Sequence, residues 1–192
     1  PVADAPPWLQ GEQGLSRKGP EPLQASYYYS RPQLKVQAQI RRGGVVQELG
    51  GIAWLDHEWS SAALAPDAVG WDWIGMNLDD GSALAAFQIR SRQAGQPPVQ
   101  TYAALRGASG AVQIVAPADV RFTPLRYWNS SRHRSAWPVA QRITIGTRVF
   151  ETRPLMDDQE LDSSLTTGAV YWEGASQLLE AGRPVGRGYL EM

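Results

Sequence analysis

The chain has 192 residues, with 18 Lys and Arg set against 19 Asp and Glu, and no cysteine. That length suits one β domain with a core of its own, without disulfide or metal staples. The near-zero charge and the lack of a basic run exclude an electrostatic clamp on nucleic acid or on an anionic membrane. The missing cysteines exclude disulfides, thiolate metal sites and cysteine nucleophiles. No apolar run approaches the roughly 18 residues a membrane-spanning helix needs. The chain opens with Pro1-Val2 rather than Met, so we expect it to have been cut from something longer.

Residues 1–24 carry five Pro and three Gly and little periodicity, and read as a linker or an N-terminal arm. A domain is expected from 25 to 192. Leu34–Ile40 alternates apolar and polar residues without a break, the pattern of a half-buried strand. Gly43-Gly44 interrupts it, and a second run extends from Val45 to Trp59. Gly70–Leu78 is closed by Asp79-Asp80-Gly81, a hairpin signal, because turn positions with positive φ favour Asp and Gly. Ala83–Arg90, Val99–Leu105, Ala111–Val115, Val120–Leu125, Val139–Ile145, Arg148–Thr152, Ala169–Leu179 and Val185–Met192 complete the set. A short helical turn is expected only at Asp157–Leu165. The fold class is therefore all-β, an antiparallel barrel of about 8–10 strands, since closure removes exposed edges.

The unusual stretch is Trp54–Trp73, which contains Trp54, Trp59, Trp71 and Trp73, half of the eight tryptophans, together with His57. In an extended segment Trp54, Asp56 and Glu58 share one face, and Leu55, His57 and Trp59 the other. Trp71 and Trp73 project together, opposite Asp72. Carboxylates in apolar surroundings have raised pKa values and a His titrates near neutrality. Asp56, His57, Glu58 and Asp72 are thus candidate general acids and bases. Trp54, Trp59, Trp71 and Trp73 are candidate walls for an apolar ligand whose faces also stabilise a developing cation. The competing reading is a buried polar network paired to arginines, with the indoles as core.

At these residues the chain resembles a lipocalin-like family that groups carotenoid 1,2-hydratases with predicted secreted hydrolases, the AttH and hydroxyneurosporene synthase group. The resemblance rests on Tyr28-Tyr29-Ser30-Arg31-Pro32, Ala53 to Ser61, Gly70 to Gly81, Asp158-Gln159-Glu160, Tyr171-Trp172-Glu173-Gly174 and Gly188-Tyr189-Leu190-Glu191. It implies a lipocalin-like barrel and a hydrophobic small-molecule ligand, of isoprenoid, polyketide or lipid-like character. For the hydratase members it implies protonation of a double bond followed by capture of water, with no cofactor. It also implies that the chain is the second of two lipocalin-like halves, with an N-terminal half as partner, and a periplasmic or secreted location. Tyr29 and Trp172 join the ligand-lining candidates, although tyrosines and the Tyr-Trp-Glu-Gly piece also suit strand packing.

Two distant histidines make a zinc site poorly supported. A Gly-x-Ser-x-Gly elbow and a dinucleotide fingerprint are both missing. His133, among Arg132, Arg134 and Ser135, reads as part of an exposed loop. A non-enzymatic carrier and a structural half-domain packed against the first half stand as alternatives to an acid/base enzyme.

Overall fold

The computed structural model describes residues 6–61, 64–166 and 168–192. Among them fourteen strands and one short 3-10 turn make up all the regular structure. All strand pairing is antiparallel.

The first layer is built on a long hairpin. Strand β3 (Ala25–Arg42) and strand β4 (Val45–Trp59) run out to a turn at Gly43-Gly44. The expected arm packs on the other edge of β3. Its two short strands, β1 (Trp8–Leu9) and β2 (Leu15–Arg17), pair with Tyr29–Ser30 and with Ala25–Tyr27. Residues 1–5 lie outside the described residues.

The second layer is one curled sheet. Its strands are β5 (Ala68–Leu78), β6 (Ala83–Ser91), β7 (Gln100–Arg106), β8 (Val112–Val115), β9 (Val120–Asn129), β10 (Ala136–Ile145), β11 (Arg148–Pro154), β12 (Glu160–Ser163), β13 (Ala169–Glu180) and β14 (Arg183–Glu191). They run in the order β8-β7-β6-β5-β14-β13-β11-β10-β9, with β12 also on β13. The sheet curls far enough for β7 to meet β9, yet β8 and β9 form no ladder among the described residues. The result is a half-barrel. Its concave face encloses the main core, which includes Ile74, Met76, Leu84, Phe150, Leu178 and Leu190, all excluded from solvent.

The β5–β6 hairpin forms where Asp79-Asp80-Gly81 calls for it, with Gly81 at φ 84° and the Asp80 carboxylate accepting from Ser82 N–H at 2.9 Å. The segment expected to be helical at Asp157–Leu165 instead holds β12, paired with Ala169–Trp172. The cause is Glu160. Its buried carboxylate accepts from Ser130 Oγ at 2.7 Å and Trp137 Nε1 at 2.6 Å and lies 2.7 Å from His133 Nδ1, which pulls the segment out flat against its neighbours.

One clamp between the two layers sits at a bulge. A bulge in β3 between Arg31 and Leu34 places Gln33 at φ 57°. Its backbone N–H donates to Asn77 Oδ1 at 2.8 Å, and its side-chain amide donates to Leu78 O and Ser82 O at 2.9 and 2.8 Å. Asn77 Nδ2 reaches back to Ala53 O on β4 at 3.3 Å. Beyond this clamp the hairpin runs on without support, and residues 41–50 are all exposed. An unsupported two-stranded ribbon is marginal in water. Brief trypsin digestion should therefore cut first at Arg41 or Arg42, leaving both fragments held together; mass spectrometry showing first cleavage within the curled sheet would contradict this layout.

Candidate functional site

Alternation along β4 decides which of its side chains meet the curled sheet. Trp54, Asp56 and Glu58 turn inward, and Leu55, His57 and Trp59 turn outward, opposite Arg31, Tyr29 and Tyr27. Trp59, at the end of the strand, also reaches the rim of the cavity between the layers. Trp54 packs edge-on against Trp8 and Trp73, with ring centroids 6.2 and 6.3 Å away. Gly75 permits this, because a Cβ there would meet both the Trp73 and Trp54 rings at under 3 Å. The sheet face being covered is the convex one, since Trp71, Trp73, Phe87 and Ile89 point away from the half-barrel core.

Between the layers lies a cavity of about 370 Å³. Trp71, Trp73, Phe87 and Ile89 line its sheet side; Tyr28, Asp56 and Glu58 line its hairpin side. Lys18 enters from the arm, Glu191 from β14, and Trp59, Ser60 and Leu64 complete the wall. The volume sits at the low end of the ~300–1,000 Å³ typical of small-molecule sites.

Polar groups are few and each is held. Asp56 Oδ1 accepts from Ser30 Oγ at 2.5 Å. Glu58 accepts from Ser26 Oγ and pairs with Lys18 Nζ at 2.8 Å. Lys18 also sits 4.0 Å from the centre of the Phe87 ring. Glu191 accepts from Trp71 Nε1 at 2.8 Å, and the Tyr28 hydroxyl accepts from Trp73 Nε1 at 3.0 Å. The buried Trp54 indole N–H forms no well-shaped hydrogen bond among the described residues, though it acts on the nearby Asp56 carboxylate.

Burial sets the protonation behaviour. It raises the Asp56 carboxyl above the ordinary aspartate range, with Ser30, Trp54 and Tyr28 acting in the opposite sense and Glu58 adding to the rise. It raises Glu191 too, against the Trp71 hydrogen bond and with help from the neighbouring carboxylates of Glu173, Glu58 and Asp56. The Tyr28 phenol is pushed well up, chiefly by burial, and the Lys18 ammonium is pushed down by burial against the pull of Glu58. Two raised carboxyls against an aromatic wall can hold protons at a higher pH than free side chains do.

The structure thus brings together six of the residues singled out in the sequence: Asp56, Glu58, Trp59, Trp71 and Trp73 on the cavity, and Trp54 packed behind it. The other four lie elsewhere. His57 faces solvent, with Nδ1 3.2 Å from the Tyr29 hydroxyl and its ring 4.9 Å from that of Trp59. Tyr29 is on that same outer face. Asp72 points to the concave side, where Arg90 pairs with it at 2.7 Å and Gln88 and Gln141 donate to it at 2.8 and 3.2 Å. Trp172 is fully buried in the half-barrel core and donates to Asp157 O at 2.7 Å. Lys18, Tyr28 and Glu191 were not picked out. Lys18 did carry a signal, as one of only two lysines in the chain. Glu191 is the polar partner of inward-facing Leu190 in an alternating last strand.

The curled antiparallel sheet with its covering hairpin defines a lipocalin-like β domain. The AttH-like family model matches residues 2–192, and the chain belongs to that family. A crystal structure from Nitrosomonas europaea, described as a candidate AttH, is 53% identical and superposes with a TM-score of 0.92 over 99% of this chain and 58% of its own. Kievitone hydratase from Nectria haematococca superposes with a TM-score of 0.71 at 22% identity, over 96% of this chain and 57% of its own, a likeness of fold. This chain thus spans less than two thirds of either solved chain. No curated protein matches it.

Two outcomes follow from the electrostatics. A carboxyl raised on folding contributes stability that is fully present below its unfolded pKa and is lost as pH rises through its folded pKa. Replacing Asp56 with Asn should therefore raise stability at neutral pH, with the advantage shrinking as pH falls into the ordinary carboxylate range; urea titrations at pH 7 and pH 4 read this directly. Arg90→Ala leaves the Asp72 carboxylate buried without its cation and should cost about 3 kcal/mol in the same titration.

Proposed function

We propose that this domain binds a hydrophobic small molecule in the interlayer cavity and performs hydratase-like acid/base chemistry on it. The observation that carries this reading is the placement of two carboxyls with raised pKa, Asp56 and Glu191, against a wall of Trp71, Trp73, Phe87 and Ile89. The ligand is an isoprenoid, polyketide or lipid-like molecule, of which a cavity this size takes a short one whole or the end of a long one. Kievitone hydratase, a protein of like fold, is by its name a hydratase, and that supports the reading.

In this mechanism protonated Asp56 gives its proton to one alkene carbon. The Trp71 and Trp73 faces shield the resulting carbocation. Water adds to the cation, and the oxonium returns a proton to the Asp56 carboxylate, so that alkene and water become an alcohol and the acid is restored. Glu191, fixed by the Trp71 N–H, holds the incoming water. Lys18 and Glu58 form the polar end of the cavity. Neither metal nor organic cofactor enters these steps.

Tryptophan fluorescence should shift on titration with short isoprenoid or polyene ligands, and Trp73→Ala should weaken binding about tenfold or more. Asp56→Asn should abolish conversion of a bound alkene, followed by mass gain of one water, while leaving affinity within a few fold. Turnover undiminished in Asp56→Asn would remove the proton-donor role; a flat fluorescence response across the panel would remove the ligand reading.

A second reading attaches to the outer face of the hairpin. Trp59 and Tyr27 stack there with centroids 5.6 Å apart at 50% and 57% exposure, beside Tyr29 and His57. Exposed Trp and Tyr clusters are typical anchors of protein contacts. We propose that this face meets an N-terminal lipocalin-like half of a longer protein, for which the greater length of the Nitrosomonas relative is the support. A periplasmic or secreted location is proposed with it, from the resemblance to predicted secreted hydrolases; no helix among the described residues is long and apolar enough to cross a membrane.

A further inference from the structure

A file of hydrogen bonds, buried at its centre, runs from the arm by way of β7 to Asp56. It begins at the backbone N–H of Gly11, which donates to the Tyr102 hydroxyl at 3.1 Å. Tyr102 donates to Gln10 Oε1 at 3.0 Å, Gln10 Nε2 donates to Ser30 Oγ at 2.9 Å, and Ser30 donates to Asp56 Oδ1 at 2.5 Å. Gln10 and Ser30 are wholly shut off from solvent.

The polarity of this file is fixed at its start. A backbone N–H can only donate, so the Tyr102 oxygen is an acceptor toward Gly11 and its own proton must go elsewhere. Gln10 Oε1 is the acceptor within reach. Reversing the Gln10 amide would leave that half-buried phenol proton without its protein partner, at a cost. With its carbonyl spent on Tyr102, Gln10 presents its NH₂ to Ser30. Ser30 then donates its one hydroxyl proton to Asp56 Oδ1, with the Tyr28 hydroxyl as its other polar neighbour.

Resting on the reading of Asp56 as the proton donor, we propose that Gln10 is a positioning residue. Through Ser30 it locks Asp56 Oδ1 as an acceptor, so that the proton of the acid form is carried on Oδ2 and delivered from there. The arm that supplies Gln10 is on this view part of the acid machinery as well as a cover. The Ser30 donor also moderates the rise in the Asp56 pKa that burial imposes.

The test reads the Asp56 and Glu191 carboxyls by carbon-13 NMR across pH in the unliganded protein. Other titratable and charged groups facing Asp56 are Lys18 from the arm, Tyr28 from β3, Glu58 from β4 and Glu191 itself from β14. Gln10→Met keeps length and removes both hydrogen bonds; Tyr102→Phe leaves Gln10 in place and removes the group that sets its direction. Gln10→Met should raise the Asp56 pKa by about one pH unit, the size of one charge-assisted hydrogen bond. Tyr102→Phe should raise it by less, and Glu191 should stay put in both. A role in packing alone lowers the melting temperature without moving Asp56 relative to Glu191, and that result overturns the proposal. So does an equal shift of both carboxyls, which would report a loosened cavity. If Gln10→Met does not fold, Tyr102→Phe decides by the same criterion. Ligand titration of the unmutated protein is scored separately, so failure of the ligand reading and failure of the positioning file are told apart.

Discussion

The clamp between Gln33 and Asn77 is the contact on which the rest of the molecule depends. Strand β5 has two buried sides, and only one of them belongs to the half-barrel core. Ile74, Met76 and Leu78 fill the concave face. Trp71, Trp73 and Gly75 face outward, where they would be an apolar patch in water without a cover. The hairpin is that cover. Its attachment cannot rest on strand pairing, because β4 and β5 form no ladder among the described residues. Attachment comes instead from side-chain contacts, the Trp73–Tyr28 and Tyr102–Gln10 hydrogen bonds and the Trp8–Trp54–Trp73 packing among them. The amides at the bulge add directional bonds that tolerate no slippage. A fixed register there fixes where Asp56 and Glu58 arrive over the indoles of β5.

That placement runs against stability. Carboxyls raised by burial make the fold weaker at neutral pH than it would be with amides in their place. A different arrangement is present in the same chain: Asp72, far more deeply buried than Asp56 or Glu191, is matched by Arg90 and two glutamines. Glu160 is likewise met by Ser130, His133 and Trp137. Where the chain buries a carboxylate for structure it surrounds it with donors. Asp56 and Glu191 have no cation paired with them among the described residues, and their carboxyls are raised rather than lowered.

Strand positions were legible because period-two alternation survives wherever one face is wet or both faces are apolar. Leu34–Ile40 and Ala83–Arg90 sit inside observed strands, and Asp79-Asp80-Gly81 turns where its chemistry requires. Alternation also separated Asp56 and Glu58 from His57 and Trp59. It could not tell which pair faces inward, since that depends on a second layer whose docking is set by Gln33 and Asn77, 44 residues apart. The same blindness grouped Asp72 with the site: Trp71, Asp72 and Trp73 are consecutive, and consecutive strand residues face opposite layers. The arm was unreadable for a different reason. Its strands are two and three residues long, too short for periodicity, and its Pro and Gly content is that of a linker.

The arm changes what kind of cavity this is. A lipocalin-like barrel ordinarily offers its interior to a ligand, and here the interior is packed with Phe150, Trp172 and their neighbours. The space lies outside the curl instead, roofed by a hairpin and walled by the arm. The arm contributes to both ends of the polar machinery, Lys18 at Glu58 and Gln10 behind Asp56. Lifting it would at once admit solvent, free Glu58 of its cation and release Ser30 from its orientation. On the proposed reading of Asp56 as the acid, its hydrogen-bonded setting therefore depends on the arm being seated.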